Sequence, residues 1–331
     1  MYELQSSLCA PGPDLSGLMA QAESFYKAAK APATIKAFDS DLASFRSFTT
    51  CNNLPYLPST VETVVLYVSS LAAADPPMAY ATIRRRLSSI SFAHRRRGLE
   101  SPAVPRKHFV LREVLAGIRR TLGTAQHGAT PILGDQIRSI VAASPKTLLG
   151  TRNRALVLFG FAAGSRASEL VSILEVGDLS LTADGDLYIR LQRSKTDQDQ
   201  AGRDFVVTRG QHPETCPVRA IQAWIEVAAI GESGGPLFRS VTRHGKLRGD
   251  APLSRRSVSK ILKAAAVRAG LNPGKISPHG LRAGMCTTAA LAGATEMEIA
   301  SLSGHKSIAT VRRYVRAADV MRRNASSHLG L

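Results

Sequence analysis

Residues 277–316 of the chain read SPHGLRAGMCTTAALAGATEMEIASLSGHKSIATVRRYVR, and this stretch decides much of the fold. Thr295 and Glu298 stand at the spacing of a helix capping box, directly before a run of apolar residues. On both sides of this point apolar residues recur every three or four positions, which is the period of an α-helix. The pattern predicts three short helices in succession, at 281–292, 296–303 and 307–318.

The polar residues of this stretch suit the binding of a phosphate group. His279 and Arg282 are three residues apart at a helix start, so their side chains lie on one face. Arg offers a bidentate fork and His can donate or accept a proton, although a solvated basic helix start would look the same. His305 follows a Ser-Gly pair. Tyr314 is one position off the apolar stripe of its helix, among arginines, so it either faces a phosphate or is an ordinary surface tyrosine.

Three further candidate functional residues, Arg166, Glu169 and Lys195, precede this stretch. An apolar helix runs directly into Gly-Ser-Arg, and Glu169 stands three residues beyond Arg166. This glutamate either orients the Arg166 guanidinium for chemistry or forms a purely structural ion pair with it. Alternating apolar residues predict two strands, at 186–192 and 203–208, that form a hairpin. Lys195 lies in the loop of that hairpin, where a lysine is most often simply solvated.

The N-terminal third of the chain is predicted to be helical as well. The periodicity predicts helices at 33–48, from Ser59 or Thr60 onward, from Thr82 to Gly98, and at 106–121. The next segment, Gly-Thr-Ala-Gln-His-Gly-Ala-Thr-Pro, has no apolar periodicity and is the best linker in the chain. We therefore expect a mainly α protein with a small antiparallel β-sheet. The expected boundaries are a flexible arm at 1–17, a helical domain at 18–122, the linker at 123–131, and a second domain with a C-terminal tail at 132–331.

Composition points to a nucleic-acid partner. The chain has 331 residues, with 43 Lys and Arg against 25 Asp and Glu, and a formal net charge of +18. Such an excess faces a polyanion, and because only 5% of residues are aromatic and able to stack on single-stranded bases, duplex DNA is favoured over RNA. No apolar run is long enough to span a membrane and no signal peptide is evident, so a cytoplasmic, nucleoid-associated protein is expected.

Neither a metal nor a cofactor is expected. The four cysteines are too widely spaced to form zinc pairs, and too few in a chain of this length for a disulfide framework. The sequence has no Gly-rich nucleotide-binding loop, and no cluster of carboxylates suggests Mg²⁺.

Positive charge is concentrated in two predicted helices, one in each domain. Each run taken alone is equally well read as a solvated helix face, and the net charge of +18 is what favours contact with DNA. Two basic helices on two linked domains suggest a clamp around duplex DNA, with one helix entering the major groove from each side. The residues assigned to DNA contact are Arg84, Arg85, Arg86, Arg95, Arg96 and Arg97 in the first domain, and Arg243, Lys246, Arg255, Arg256 and Lys260 in the second.

In this order and at these spacings, the candidates resemble the active-site set of the tyrosine recombinase, or phage integrase, family. The flanking text agrees, because Arg152-Asn-Arg-Ala-Leu precedes the Gly164-Ser-Arg box, and His-Gly-Leu-Arg, Ser-Gly-His and Tyr follow. The resemblance covers residues 133–316, and the helical domain resembles the family's core-binding domain. The hairpin text looks more like that of Cre-like members than of Xer-type ones. One departure is Ser165, where the family commonly has Leu or Met.

The resemblance implies a site-specific DNA recombinase that cleaves and rejoins duplex DNA through a 3′-phosphotyrosyl intermediate, without metal or ATP. The implied partners are double-stranded DNA with inverted-repeat recombinase sites, further copies of the chain (a dimer on each site and a tetramer at synapsis) and, as an option, accessory DNA-bending proteins. The implied roles are Tyr314 as nucleophile, Arg166 and Arg282 as the phosphate clamp, Lys195 as general acid, and Glu169 as support. His279 would hydrogen-bond the phosphate or accept the tyrosine proton, and His305 would hydrogen-bond the scissile phosphate.

Two alternatives remain open from the sequence. The chain could be a non-catalytic, integrase-like DNA-binding protein, although the complete set of candidates argues against this. A type IB topoisomerase or a hairpin telomere resolvase would share the chemistry without the synapsis.

Overall fold

The computed structural model describes residues 15–124, 128–172, 175–191, 202–242 and 244–322. The chain separates into two compact units, Met1–Gln126 and His127–Leu331. The described part of the first unit forms five helices: α1 (Leu15–Ala28), α2 (Pro32–Cys51), α3 (Val61–Ala72), α4 (Tyr80–Arg96) and α5 (Phe109–Leu122).

The core of the first unit follows from the helical period of its apolar residues. Ile83, Leu87 and Ile90 form one stripe of α4 and are buried against α2, α3 and α5. His94 continues the stripe and is also buried, where Nε2 accepts a hydrogen bond of 3.0 Å from the backbone N–H of Ser59. This histidine therefore holds the segment before α3 onto α4 and is part of the core.

The second unit is also mainly helical. Its described helices are α6 (Gly134–Ala142), α7 (Leu148–Ala162), α8 (Ala167–Ser172), α9 (Pro217–Val227), α10 (Arg255–Arg268), α11 (Pro278–Leu291), α12 (Glu296–Ser303) and α13 (Ile308–Arg322). Its strands are β1 (Leu179–Leu181), β2 (Leu187–Leu191), β3 (Arg203–Val207), β4 (Arg239–Val241) and β5 (Leu247–Pro252). The first three strands form one antiparallel sheet in the order β1-β2-β3, and β4 pairs with β5.

The core of the second unit is built around α7. This helix is apolar on most of its surface and has buried residues all round, as expected for a helix enclosed by other elements. It packs against α9, whose Trp224 is fully buried and donates a 2.7 Å hydrogen bond from Nε1 to the carbonyl of Leu237. The rigid end of α7 is where Arg166 follows in sequence, so this core fixes one edge of the candidate site.

Several local predictions are confirmed. The predicted hairpin strands are present as β2 and β3, and their inward residues alternate as expected. Thr60 is the N-cap of α3, with its hydroxyl accepting from the N–H of Thr63 at 3.2 Å. Thr295 and Glu298 form the expected reciprocal capping box at the start of α12.

Other boundaries differ from the sequence interpretation. The α5 helix begins at Phe109 rather than near 106, because Pro105 opens a turn that occupies the next residues. The α1 helix begins at Leu15, inside the segment that was expected to be a flexible arm, and residues 1–14 lie outside the described residues. The short strands β1, β4 and β5 were not predicted. No helix in the described ranges is long and apolar enough to cross a membrane.

Candidate active site

Arg282 is the centre of the candidate site. It lies in the second turn of α11 and is only 1% exposed. The helix can sit this deep because Gly284 has no side chain: a Cβ there would overlap the backbone carbonyl of Ile132. The start of α11 is fixed in turn by a 3.0 Å hydrogen bond from the N–H of Ile132 to the carbonyl of Gly280.

Backbone carbonyls orient the Arg282 guanidinium. Nη1 donates to the carbonyl of Gly164 at 2.7 Å and to that of Ser303 at 2.6 Å. Nε donates to Nε2 of His305 at 3.3 Å, whereas the buried Nη2 has no hydrogen-bond partner among the described residues. Burial and the nearby Arg166 lower the pKa of Arg282 to about 10, so it remains charged at neutral pH. A buried, charged N–H₂ group without a partner is costly, and an anion would satisfy it.

His305 is held as a neutral imidazole. The Ser303 hydroxyl donates to the carbonyl of Ile299, so Oγ accepts from Nδ1–H of His305 at 2.6 Å. Nε2 then carries the lone pair that accepts from Arg282. Burial, followed by the positive charges of Arg282 and Arg166, lowers the pKa of His305 to about 3. This ring therefore carries no positive charge at physiological pH.

Arg166 approaches the cluster from the turn after α7. Gly164 makes this turn with φ of +55°, a conformation that glycine adopts without strain, and a Cβ there would overlap the Met285 side chain. Nη1 of Arg166 donates to Oε1 of the buried Glu169 at 2.6 Å, and the Arg166 N–H donates to Oε2 at 2.8 Å. The glutamate thus orients both the side chain and the backbone of Arg166. The unusual Ser165 is 3% exposed in the same turn.

Tyr314 enters the site from α13. It packs, half-buried, against a small cluster that includes Cys286 of α11 and Val311 of its own helix. Its ring centroid is 6.0 Å from that of His305. Burial is the main cause that raises the pKa of Tyr314, and the nearby Arg282 and Arg313 act in the opposite direction. Tyr314 is thus neither fully exposed nor in the core, and it lies beside His305.

His279 stands in the first turn of α11, one turn before Arg282, and keeps its access to solvent. Partial desolvation, and then the charges of Arg282 and Arg166, lower its pKa. A neutral imidazole beside two guanidinium groups can accept a proton or contact an anion. The structure therefore brings together Arg166, Glu169, His279, Arg282, His305 and Tyr314, which are separated by up to 148 positions in the chain.

Two predicted residues cannot be placed. Lys195 belongs to 192–201, and this segment and Arg243 lie outside the described residues. Conversely, two residues near the site were not selected from the sequence. Ser303 holds the His305 ring, and its place in the Ser-Gly-His motif was the available signal. Arg203 contacts the end of α12, and nothing in the local sequence of β3 announced it.

The residues assigned to DNA contact divide into two groups. Most are exposed on the surface of the described residues: Arg84, Arg95, Arg96 and Arg97 on or next to α4, Lys246 between β4 and β5, and Arg255, Arg256 and Lys260 on α10. The other two arginines of α4 point toward Asp41 of α2, which is only 3% exposed, although Arg85 keeps 45% of its own side chain exposed and Arg86 keeps 15%. Arg85 Nη1 donates to Asp41 Oδ2 at 2.7 Å. Arg86 Nη1 donates to the hydroxyls of Ser44 and Tyr67, both at 2.7 Å.

These internal contacts predict a structural role for Asp41. We expect Asp41→Ala to lower the free energy of unfolding of the full chain by about 3 kcal/mol, because it leaves cationic groups without their buried partner. Asp39→Ala, which removes an exposed carboxylate of the same helix, should change it by less than about 0.5 kcal/mol. Urea unfolding of both variants measures the difference. A loss below about 1 kcal/mol for Asp41→Ala would show that the pair adds no more than a surface ion pair.

The fold and the site define a class of protein. The site pairs two guanidinium groups and two neutral imidazoles with a tyrosine hydroxyl, in a chain of strongly positive charge. Among the described residues no group of three or more His, Cys, Asp or Glu side chains could hold a metal ion. The two guanidinium groups, the imidazoles and the tyrosine hydroxyl fit phosphoryl transfer on a polyanion.

Comparison with known proteins agrees with this class. Residues 131–321 match the model of the phage integrase family. An integrase/recombinase XerD homologue from Selenomonas ruminantium is 34% identical over 301 residues, covering 91% of this chain and 86% of the relative. The Cre recombinase of Escherichia phage P1 is 26% identical, covering 83% of this chain and 81% of Cre. A lambda integrase tetramer bound to a Holliday junction superposes with a TM-score of 0.54 at 16% identity, covering 91% of this chain and 76% of that one.

The chain belongs to the phage integrase family. The family assignment made from the sequence is thereby confirmed. Because a XerD homologue and Cre both match over most of their lengths, the comparisons do not select the Cre-like subgroup.

Proposed function

We propose that this site-specific DNA recombinase cuts and rejoins duplex DNA with Tyr314 as its nucleophile. The observation that supports the proposal best is the buried Arg282 guanidinium, which lies beside His305 and Tyr314. Its Nη2 has no partner in the part of the chain that the structure describes. A scissile phosphate at this point would satisfy the orphaned N–H₂ group. Its non-bridging oxygens would then lie between Arg282 and Arg166.

The clamp acts on the charge that develops during transfer. When the tyrosine oxygen adds to phosphorus, negative charge grows on the non-bridging oxygens, and fixed guanidinium groups stabilise it without reorganising. Arg282 is held by backbone carbonyls and Arg166 by Glu169, so both donors are oriented before the substrate arrives. An anion among these groups also opposes the charges that lower the histidine pKa values, which makes it easier for His305 to present an N–H to the phosphate.

The nucleophile must lose its proton for the bond to form. Burial raises the pKa of Tyr314, so its ionisation depends on its neighbours. His279, whose pKa is lowered by partial burial and then by Arg282 and Arg166, is a group able to accept the phenol proton. The 3′-phosphotyrosyl ester that results conserves the energy of the phosphodiester. The 5′-oxygen leaves with a proton that the family resemblance assigns to Lys195.

A recombinase and a topoisomerase are separated by what they do with the cut strand. A plasmid carrying two copies of a site selected from random duplexes should yield recombinant circles with the wild-type chain. Relaxation of any supercoiled plasmid, with no exchange between sites, would instead favour the type IB topoisomerase alternative. Specific binding with neither product would favour the non-catalytic one.

DNA binding by the basic residues of α4 and α10 is the second part of the proposal. The exposed arginines of α4 and the basic start of α10 would each lie against the backbone of an inverted-repeat site. Two protomers would occupy one site and four would meet at synapsis, as in the lambda integrase tetramer on a Holliday junction. Accessory DNA-bending proteins would be optional partners. The protein would work on the nucleoid, in the cytoplasm.

These DNA contacts predict that the affinity for DNA depends steeply on salt concentration. If six to ten phosphates are neutralised, the affinity for a DNA site should fall by about 10³–10⁵ between 50 and 200 mM salt. Arg96→Ala should reduce the slope of log affinity against log salt by about 1. Lys107→Ala is the control, because Lys107 already pairs with Glu100 at 2.8 Å on the same unit. Fluorescence anisotropy gives both slopes, and a nearly flat response of the wild type would contradict the proposed contacts.

A further inference from the structure

Arg203 joins strand β3 to the candidate site. It is the first residue of β3 and follows the segment 192–201 directly. Its side chain reaches across to α12, where Nη1 donates to the carbonyl of Ser301 at 2.9 Å and to that of Leu302 at 2.6 Å. These carbonyls belong to the last turn of the helix, which an α-helix leaves without internal partners.

Packing fixes the Arg203 guanidinium on two sides. Its Cζ lies 4.3 Å from the centroid of the Phe205 ring, two residues further along the same strand. On the other side it is in contact with the backbone of Gly304, where a Cβ would lie only 2.9 Å from Cζ. Gly304 is also the left-handed C-cap of α12, with φ of +68°. Glycine is needed here for the turn and for the approach of the arginine.

The turn that Arg203 supports is the one that presents the reactive groups. Ser303 O accepts from Arg282 Nη1, and Ser303 Oγ holds Nδ1 of His305. A shift of this turn would therefore displace a phosphate-clamp donor and an imidazole together. The positive charge of Arg203 at the C-terminal end of α12 also interacts favourably with the negative end of the helix dipole. Arg203 lies close enough to Arg166 and Glu169 for their charges to act on it.

We propose that Arg203 is a positioning residue for strand cleavage: by holding the last carbonyls of α12 it fixes the Ser303–His305 turn and, through that turn, Arg282. The inference rests on the proposed function, because it assigns Arg203 a part in the same reaction. Arg203 itself makes no contact with the scissile phosphate in this account. It also ties the position of β3 to the position of the clamp.

The test compares four proteins in single-turnover cleavage of a nicked site. R203M keeps the bulk of the side chain and removes its charge and donors, and we expect the rate to fall about 30-fold with DNA affinity unchanged. R203K should stay within about threefold of wild type, because a single nitrogen, Nη1, makes both carbonyl contacts and an ammonium can replace it. R190M is the matched control, since Arg190 is an arginine of the neighbouring strand with 74% of its side chain exposed.

A second substrate identifies the route by which Arg203 acts. A sulfur at the bridging 5′ position leaves as a thiolate and needs no proton donor. We expect the R203M defect to persist on this substrate, because the clamp is still displaced. Recovery of the wild-type rate would overturn the inference, because Arg203 would then act through the leaving-group side of the hairpin.

Further outcomes would also overturn it. These are an R203M rate within about twofold of wild type, an R203K as slow as R203M, or a loss of DNA affinity that accounts for the whole defect. If R203M does not fold, R203Q, which keeps an N–H donor without the charge, takes its place with the same readouts. Failure of the wild type to cleave would refute the proposed function itself, so the two failures are distinguishable.

Discussion

Tyr314→Phe is expected to abolish the covalent protein–DNA adduct. Sites selected from random duplexes and nicked near their centres should give an SDS-resistant adduct with the wild-type chain. The variant should give at least about 10⁴-fold less, because it has no oxygen to attack phosphorus. The phenyl ring still fills the same place against the α11–α13 cluster, so folding and DNA affinity should be retained.

The control is a second tyrosine of the same unit. Tyr188→Phe removes a hydroxyl that bonds to Asp204 on the neighbouring strand, and neither residue belongs to the candidate site. This variant should leave the adduct intact. An adduct formed by Tyr314→Phe would assign the attack to another residue. Specific binding by the wild type without any adduct would support the non-catalytic alternative and direct attention to Ser165.

Arg282→Ala should retain DNA binding and lose cleavage by about 10²–10³-fold. The loss is of the size expected when one preorganised donor to a developing oxyanion is removed. Arg166→Ala should behave similarly, since both guanidinium groups face the same phosphate position in our proposal. Single-turnover cleavage at saturating protein separates this rate from binding, and unchanged cleavage by either variant would refute the clamp.

A matched pair of arginine-to-lysine variants distinguishes loss of the phosphate clamp from loss of stability. Arg282 and Arg239 are both buried arginines of the second unit, at 1% and 3% exposure. Arg239 donates to Asp250 at 2.5 Å and to the carbonyl of Pro236 at 3.1 Å. Neither partner belongs to the candidate site. Arg282→Lys loses the fork and should cleave slowly, whereas Arg239→Lys should cleave at the wild-type rate once folded. Equal defects would show that buried-arginine loss acts through stability.

Much of the fold was readable from local patterns. The α12 capping box, the Thr60 cap and the alternation in β2 and β3 each depend on residues within a few positions, so sequence alone identifies them. The strands β1 and β4 were missed because each has three residues, too few to show a period. Residues 247–252 pair as β5 although their sequence, rich in Gly, Asp and Pro, has weak strand propensity, because the partner strand supplies the order.

The site was readable only in part, for a different reason. The order and spacing of its motifs identify the residues, but their contacts cross the chain, as between Arg282 and the carbonyl of Gly164, 118 positions away. The direction of a side chain is likewise set by its tertiary partner. Arg84 and Arg85 are neighbours in one basic run and both are exposed, yet of the two it is Arg85 that donates to Asp41. No one-dimensional pattern carries that information.

The way Arg282 is held bears on how freely the surrounding sequence can drift. Its two Nη1 acceptors are peptide carbonyls, which any amino acid supplies, so substitution at neighbouring positions cannot delete them. What the site demands of its neighbours is a backbone path, set by the left-handed glycines at 164 and 304. Related chains should therefore vary in side-chain chemistry at positions such as 165 while keeping those two turns. Ser165 is then compatible with a working clamp, because it leaves the backbone path of this turn in place.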